Sequence, residues 1–317
     1  MARHLVLGAG GIGRSVARAL VGRGHDVTIA SRSGRDPRVD GVRTLALDAR
    51  DRDAVTGAAR GVATIVNAMN PARYHRWQRD WPPVADAVLA AAEVSGARLL
   101  TVGNLYPYGR VSAPMREDTP EAPNGAKGRV RARMWADVLA AHRRGRVVGA
   151  ELRASDYVGS ETLASSVLAQ VVLPALLRGR TARPPFGVAD APHSWTADRD
   201  VARMAVALVE SGDDAWGRVW HVPSDAPASF ADVARIVANL TGRPVARVRP
   251  LPGVVGRVGG TVVPLLHALQ ETRHQFEAPF VLDDHAARER FGLEPQPLAE
   301  TLRETVAALE RRGTSGR

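Results

Sequence analysis

Near its amino terminus the chain reads His4-Leu5-Val6-Leu7-Gly8-Ala9-Gly10-Gly11-Ile12-Gly13. The apolar run at residues 4–8 is typical of a buried strand, and residues 12–22 repeat apolar side chains at helical spacing. The glycines between them match G-x-G-x-x-G, which after a strand and before a helix indicates a dinucleotide-binding turn. In such a turn a pyrophosphate approaches free N–H groups at the positive end of the helix. The alternative is an ordinary strand–helix turn that needs flexible glycines. The predicted cofactor contacts are Gly8, Gly10, Gly11, Ile12 and Gly13.

Strand-like and helix-like patterns alternate beyond this unit. Strands are predicted at residues 27–30, 42–47, 62–66, 98–102 and 147–152, and helices at residues 51–60, 82–95 and 125–144. This alternation predicts an α/β fold, a doubly wound parallel (Rossmann) sheet with helices on both faces. We assign residues 1–153 to a dinucleotide-binding domain and residues 154–317 mostly to a smaller carboxy-terminal substrate-binding lobe, whose later segments complete the sheet.

The second half has a less regular pattern and contains neither an internal repeat nor a linker of low complexity. Its predicted elements are helices at residues 162–178, 199–211, 229–240, 283–291 and 297–312, a strand at residues 218–222, and proline-containing loops at residues 251–253 and 263–264. This half is therefore expected to be a lobe built onto the sheet and not a separate module on a tether.

Composition excludes several classes of function. The 317 residues include no cysteine, which excludes disulfides, thiolate metal sites and cysteine nucleophiles and agrees with a cytoplasmic location. No apolar run approaches the ~20 residues of a membrane helix, and no signal-peptide pattern precedes the first strand. The net charge of +10 comes from scattered arginines without interleaved aromatic residues, so no nucleic-acid partner is expected. No metal-ligand spacing is present, and Lys127 is the only lysine.

The end of the second predicted strand bears on the choice of cofactor. An acidic residue there would bind the ribose 2′-hydroxyl of NAD(H), but this chain has Ser31, Arg32 and Ser33. A guanidinium suits a 2′-phosphate, so we expect NADP(H), with NAD(H) as the less favoured alternative and a surface role for Arg32 as the competing interpretation. Asp48 is a candidate contact for the adenine amino group. Further candidate cofactor contacts follow the fourth strand: Asn67, Ala68 and Met69.

The ordered set of motifs resembles a known family, the atypical extended short-chain dehydrogenase/reductases of the NAD-dependent epimerase/dehydratase group. The resemblance covers nearly the whole chain. Besides the glycine turn, it rests on Tyr108-Gly109, on residues 153–159 and 195–203, and on the carboxy-terminal residues 280–283, 291–293 and 297–298.

The resemblance implies a catalytic serine or threonine, a tyrosine and a lysine, the last two spaced as Y-x-x-x-K. The tyrosine exchanges a proton with the substrate oxygen, while the lysine lowers the pKa of the phenol and binds the nicotinamide ribose. Lys127 matches that lysine, but Pro123 stands in the place of the tyrosine and Asn104 in the place of the serine. The usual mechanism is therefore altered, and Asn104 is a candidate donor of an amide hydrogen to a substrate carbonyl.

Tyr106 is a candidate for the missing proton donor, and a packed loop aromatic is the equally weighted alternative. Tyr108 is assigned a structural role because it matches the Tyr-Gly pair of the family. A histidine is more often structural than functional. Two histidines are nevertheless candidates, because they lie at the ends of strands that face the expected cleft. The candidate substrate contacts are Asn70, Tyr74, Tyr106, Asp156, Tyr157, His193 and His221.

These features lead us to expect an NADP(H)-dependent oxidoreductase that reduces a ketone, or oxidises an alcohol, on a small organic or sugar-like molecule. The alternatives are an epimerase or another redox-neutral enzyme that retains its NAD(P), and a non-catalytic protein that senses NADP. The resemblance also implies a homodimer through the helices at residues 82–95 and 125–144, although amphipathic core helices have the same pattern. A membrane is not expected as a partner.

Overall fold

A parallel β-sheet is the central element of the computed structural model, which describes residues 1–71, 73–251 and 270–314. The strands are β1 (Arg3–Leu7), β2 (Asp26–Ser31), β3 (Val42–Ala46), β4 (Thr64–Asn67), β5 (Arg98–Asn104), β6 (Gly149–Ala154), β7 (Asp156–Val158), β8 (Trp195–Ala197) and β9 (Val219–His221). Seven of them form one sheet in the order β3-β2-β1-β4-β5-β6-β9, and β7 pairs with β8 in a small second sheet. Every pairing is parallel.

Helices connect these strands. They are α1 (Gly11–Gly22), α2 (Arg52–Ala58), α3 (Trp77–Ser95), α4 (Ala126–Arg143), α5 (Leu173–Leu176), α6 (Asp198–Val209), α7 (Phe230–Thr241), α8 (His274–Glu277), α9 (His285–Phe291) and α10 (Leu298–Thr314). The predicted doubly wound α/β fold is confirmed, because the sheet is parallel and helices pack on both of its faces.

The period of two in a buried strand separates the core into two layers. On β1, Val6 faces the layer that contains α1 and α6, whereas Leu5 and Leu7 face the layer that contains α2, α3 and α4. Both faces of this strand are buried, as expected for the centre of a parallel sheet. A third apolar cluster joins α7 and α10 to β8 in the second half of the chain.

Two helices differ from the sequence prediction for physical reasons. The helix predicted from residue 82 begins at Trp77, because Trp77 and Trp81 lie four residues apart and are both fully buried on one face, despite two prolines inside the helix. The helix predicted at 162–178 is present only as a π-helical turn at 168–172 followed by α5. Pro174 has no N–H to donate to the preceding turn, which interrupts the α-helical hydrogen bonds.

Other predictions fall partly outside the described ranges. The loops predicted at residues 251–253 and 263–264 lie outside them, apart from residue 251. Within the ranges that the structure covers, no helix is long and apolar enough to cross a membrane.

Candidate functional site

The glycine-rich turn leaves the amino end of α1 open. A Cβ at Gly13 would lie 1.8 Å from the Gly8 carbonyl oxygen, and a Cβ at Gly11 would lie 2.2 Å from the Glu161 carbonyl oxygen, so both positions require glycine. A Cβ at Gly10 would meet no atom of the described chain within 4 Å. Gly10 is also the N-cap of α1 and supplies no side-chain cap. The turn therefore offers N–H groups and free space to a phosphate, which fits the pyrophosphate of a dinucleotide.

The end of β4 closes one side of this turn. The Ala68 N–H donates to the Leu7 carbonyl at 3.0 Å, and a Cβ at Gly8 would lie 3.0 Å from the Ala68 carbonyl oxygen. The buried Asn67 side chain accepts a hydrogen bond from the Met69 N–H at 3.3 Å. The residues predicted from the first and fourth strands therefore meet at the carboxyl edge of the sheet, where ligands of such sheets bind.

The predicted adenosine contacts lie at the end of β2 and after β3. Arg32 and Ser33 are exposed, and Ser31 is half-buried. The Asp48 carboxylate accepts hydrogen bonds from the Arg50 side chain and from its N–H, which together lower the Asp48 pKa to about 2. Asp48 is therefore ionised at neutral pH, with Arg50 as its partner.

Lys127 lies in the first turn of α4 and is only 6% exposed. Its amine forms an ion pair with Glu271, whose carboxylate also accepts the Ala126 N–H at the amino end of α4. Burial raises the Glu271 pKa, but the hydrogen bond and charge of Lys127 outweigh it, so that the net pKa is lowered. Lys127 and Glu271 line a small pocket, together with Tyr106, Asn124, Gly125, Gly128, Thr272, His274 and Gln275.

Tyr74 and Tyr106 meet beside this lysine. The Tyr74 hydroxyl donates to the Tyr106 hydroxyl at 2.8 Å, and the Lys127 amine lies 4.6 Å from the centre of the Tyr74 ring. Gly128 allows α4 to pack closely against the loop that carries Tyr106, because a Cβ there would lie 2.6 Å from the Tyr106 carbonyl oxygen. Burial is the largest cause that raises the pKa of Tyr106 well above its ordinary value. Both rings therefore keep their hydroxyl hydrogens at neutral pH.

Asn104 ends β5 next to this pair. Its side-chain oxygen accepts the Tyr106 N–H at 3.1 Å, which fixes the loop that carries Tyr106. The amide NH₂ group of Asn104 is thereby left as its donor.

Asp156 and His193 are brought together across the small sheet, with 2.9 Å between the Asp156 carboxylate and His193 Nε2. Tyr157 is half-buried, and burial above all raises its pKa to about 12. His221 lies deeper: its ring nitrogens contact the Tyr108 hydroxyl and the Asp283 carbonyl, both at 2.8 Å. The contact of His221 with a substrate stays a prediction. The hydrogen bonds within the protein do not favour it, because they engage both ring nitrogens.

Sequence reasoning missed two charged residues of the site. Arg131, one helical turn beyond Lys127, is 4% exposed and packs on the rings of Trp77 and Trp81. Its guanidinium donates weakly to the side chain of Asn70 at 3.4 Å, while Asn70 itself is exposed. The spacing of four residues from Lys127 is a signal that could have identified Arg131. Glu271 has no such signal, because it lies 144 residues from its partner.

The described part of the chain holds no cluster of metal-binding side chains.

The model of the NAD dependent epimerase/dehydratase family matches residues 4–222. No curated protein matches the chain.

Solved structures match over nearly the full length. UDP-glucose 4-epimerase from Thermotoga maritima, crystallised with UDP-glucose, has a TM-score of 0.79 at 16% identity, with 98% of this chain and 99% of that chain covered. UDP-glucuronic acid 4-epimerase from Bacillus cereus, in complex with UDP-glucuronic acid and NAD, has a TM-score of 0.78 at 16% identity, with 98% and 99% covered. dTDP-glucose 4,6-dehydratase from Streptomyces venezuelae, with NAD bound, has a TM-score of 0.74 at 20% identity, with 98% of each chain covered. At these identities the likeness shows the fold.

Proposed function

The chain belongs to the NAD-dependent epimerase/dehydratase family of enzymes, and from this premise we propose that it is a nicotinamide-dependent oxidoreductase. The reaction is reduction of a ketone, or oxidation of the corresponding alcohol, on a small organic or sugar-like substrate. One observation carries the proposal. The only lysine of the chain is buried at the start of α4, beside the Tyr74–Tyr106 pair, where it lines a pocket with Tyr106.

The residues present fit a dinucleotide. Gly10 and the amino end of α1 would hold the pyrophosphate, and the family resemblance assigns the nicotinamide ribose to Lys127. When bound, the nicotinamide supplies or accepts a hydride. In this proposal Lys127 exchanges part of its ion pair with Glu271 for this ribose.

Asn104 and Tyr106 orient the substrate carbonyl in this proposal. The Asn104 amide donates to the carbonyl oxygen and stabilises the charge that develops there. Tyr106 donates through its hydroxyl hydrogen, and the hydrogen bond that it accepts from Tyr74 strengthens this donation. Because burial holds the pKa of Tyr106 well above 10, Tyr106 acts as a neutral donor and not as a tyrosinate base.

For the cofactor we propose NADP(H). Ser31, Arg32 and Ser33 end β2 without a carboxylate, and the exposed Arg32 guanidinium suits a 2′-phosphate. The structures of relatives with NAD bound have at most 20% identity to this chain and carry over only the fold.

A second candidate is favoured by the description of the family itself, which includes epimerases. In that case the cofactor is regenerated within each turnover, and the reaction consumes no NADPH overall. Tight retention of the nicotinamide through purification, with substrate conversion but no net NADPH oxidation, would identify this reaction.

The test is steady-state oxidation of NADPH with a panel of ketones that includes cyclohexanone, acetophenone and dihydroxyacetone. Lys127→Ala is expected to weaken cofactor binding, and Tyr106→Phe to lower turnover by about 10²-fold. Tyr108→Phe is the matched control, because that hydroxyl contacts His221 and not the Tyr74–Tyr106 pair. Full turnover by Tyr106→Phe would show that Tyr106 is not the hydrogen-bond donor to the substrate carbonyl.

A further inference from the structure

Asp156 and His193 form a hydrogen-bonded pair whose chemistry the proposed function has not used. Asp156 begins β7, and His193 lies two residues before β8, its partner strand. His193 Nε2 is 2.9 Å from the Asp156 carboxylate, and His193 Nδ1 is 3.0 Å from the Gln275 carbonyl oxygen. The Ser155 hydroxyl lies 3.5 Å from Nε2, at the limit of a hydrogen bond.

The hydrogen-bond partners of the His193 ring allow two arrangements. Either both ring nitrogens carry a hydrogen, or Nδ1 and the Asp156 carboxyl group each carry one. A backbone carbonyl can only accept, so Nδ1 carries a hydrogen. Nε2 then faces a carboxylate oxygen, and two lone pairs would oppose each other at 2.9 Å unless a proton lies between them. The pair therefore holds one shared proton, either as imidazolium and carboxylate or as imidazole and carboxylic acid.

The surroundings hold the imidazole in place. His193 is 2% exposed and stacks on the Phe276 ring with 4.5 Å between ring centres and 10° between planes. Trp195 and Phe280 contact the same imidazole. Asp156 is different, because 29% of its side chain is exposed, so one end of the pair is buried and the other is open.

The open end lies near the tyrosine pair. Burial is the main cause of the raised pKa values of Tyr74 and Tyr106, and the charge of Asp156 adds to both. It adds to the raised pKa of Tyr157 as well, which the Arg131 charge opposes. Asp156 lies two residues beyond Ala154, which pairs with Asn104 at the carboxyl end of β5, so Asp156 lies at the same edge of the sheet as Asn104 and Tyr106. Tyr106 itself is too weak an acid to supply a proton efficiently.

We propose that Asp156 and His193 are the proton donor of the reaction, in the place of the tyrosine that Pro123 replaces. This inference rests on the proposed function. In the reductive direction the substrate carbon accepts a hydride from the reduced nicotinamide, and its oxygen takes the shared proton. The O–H or N–H bond of the pair breaks, an O–H bond forms on the product, and Asp156 stays as a carboxylate beside a neutral His193. In the oxidative direction the same pair takes the alcohol proton back.

Nuclear magnetic resonance of the full chain, labelled with ¹⁵N-histidine and ¹³C-aspartate, tests whether the pair holds the proton. At pH 7 we expect either hydrogens on both nitrogens of His193 or a protonated Asp156 carboxyl. In Asp156→Asn the amide donates to Nε2, so His193 should become neutral with its hydrogen on Nδ1. His221 is the internal control, since its Nδ1 faces the Asp283 carbonyl and its Nε2 faces the Tyr108 hydroxyl, which can donate to it. A neutral His193 beside an ionised Asp156 in the unsubstituted protein would overturn the proposal.

Kinetics with the same ketones and NADPH test delivery of the proton. Asp156→Asn and His193→Gln should each lower kcat by about 10²-fold and leave the calorimetric affinity for NADP⁺ unchanged. A kcat in either variant equal to that of the unsubstituted protein would overturn the proposal. Absence of heat with both NADP⁺ and NAD⁺ in the unsubstituted protein would instead refute the proposed function, whatever the protonation of His193.

Discussion

Replacement of Glu271 by glutamine should have opposite effects on folding and on cofactor binding. Glutamine keeps an oxygen that can accept the Ala126 N–H, but it removes the charge that faces Lys127. The two side chains are 7% and 27% exposed, between a surface pair and a fully buried one. A loss of about 2 kcal/mol in the free energy of unfolding is therefore expected, which corresponds to a fall of about 4 °C in Tm.

Cofactor affinity should change in the other direction. In the unsubstituted protein, the ribose competes with Glu271 for the Lys127 amine; in Glu271→Gln this competition is weaker. If about 1.4 kcal/mol of the ion pair is recovered, the affinity for NADP⁺ rises about tenfold. Calorimetric unfolding and isothermal titration of the same preparations measure the two quantities.

The matched control is Glu277→Gln. Glu277 forms an ion pair with Arg273 at similar burial, 30% and 22% exposed, and does not contact Lys127. The Glu277→Gln variant should be less stable than the unsubstituted protein, without any gain in affinity for NADP⁺. The reasoning is refuted if Glu271→Gln binds NADP⁺ no more tightly than the unsubstituted protein, because Lys127 then does not exchange Glu271 for the cofactor.

The remaining predictions concern acid stability, cofactor choice and the glycine turn. Burial above all, and then the charge of His25, lowers the pKa of His4 from 6.5 to about 4, so the folded state resists protonation there. Stability should fall by roughly 3 kcal/mol as the pH drops from 6.5 to 4, and His4→Leu should reduce this dependence in urea titrations; an unchanged slope would contradict it. Arg32→Ala should weaken NADP⁺ binding about tenfold and leave NAD⁺ binding unchanged in calorimetry, whereas equal losses would exclude a contact with the 2′-phosphate. Gly13→Ala should lower the free energy of unfolding by about 3 kcal/mol or more, since its Cβ meets the Gly8 oxygen, and a normal Tm would refute this.

The fold could be predicted because its signals are local. The strand and helix around the glycine turn lie within about 20 residues, and the later strands of the seven-stranded sheet carry apolar residues of their own. The short strands β7 and β8 were not predicted. One boundary that was wrong depends on distant partners. The start of α3 at Trp77 reflects burial of two tryptophans against the rest of the core, which the prolines at 82 and 83 conceal in the sequence.

The site could be predicted only as a set of residue types. Lys127 and Asn104 follow from the family resemblance, whereas Tyr74 and Tyr106 were separate candidates, and their contact spans 32 residues of sequence. The pairing of Asp156 with His193 depends on the register of β7 with β8, which no periodicity encodes. Glu271 was missed for the same reason, as its contact with Lys127 joins the two halves of the chain.

The central claim is that the glycine turn binds a nicotinamide dinucleotide, and Gly10→Ala tests it most directly. Gly10 has φ −75° and ψ −177°, which alanine adopts freely, and the added methyl group meets no described atom within 4 Å. Stability should therefore change by no more than about 0.5 kcal/mol. The methyl group would nevertheless occupy the space where the pyrophosphate approaches α1, so titration calorimetry should show at least about tenfold weaker binding of NADP⁺. Unchanged affinity in Gly10→Ala, or no binding of NADP⁺ or NAD⁺ by the unsubstituted protein, would contradict the account.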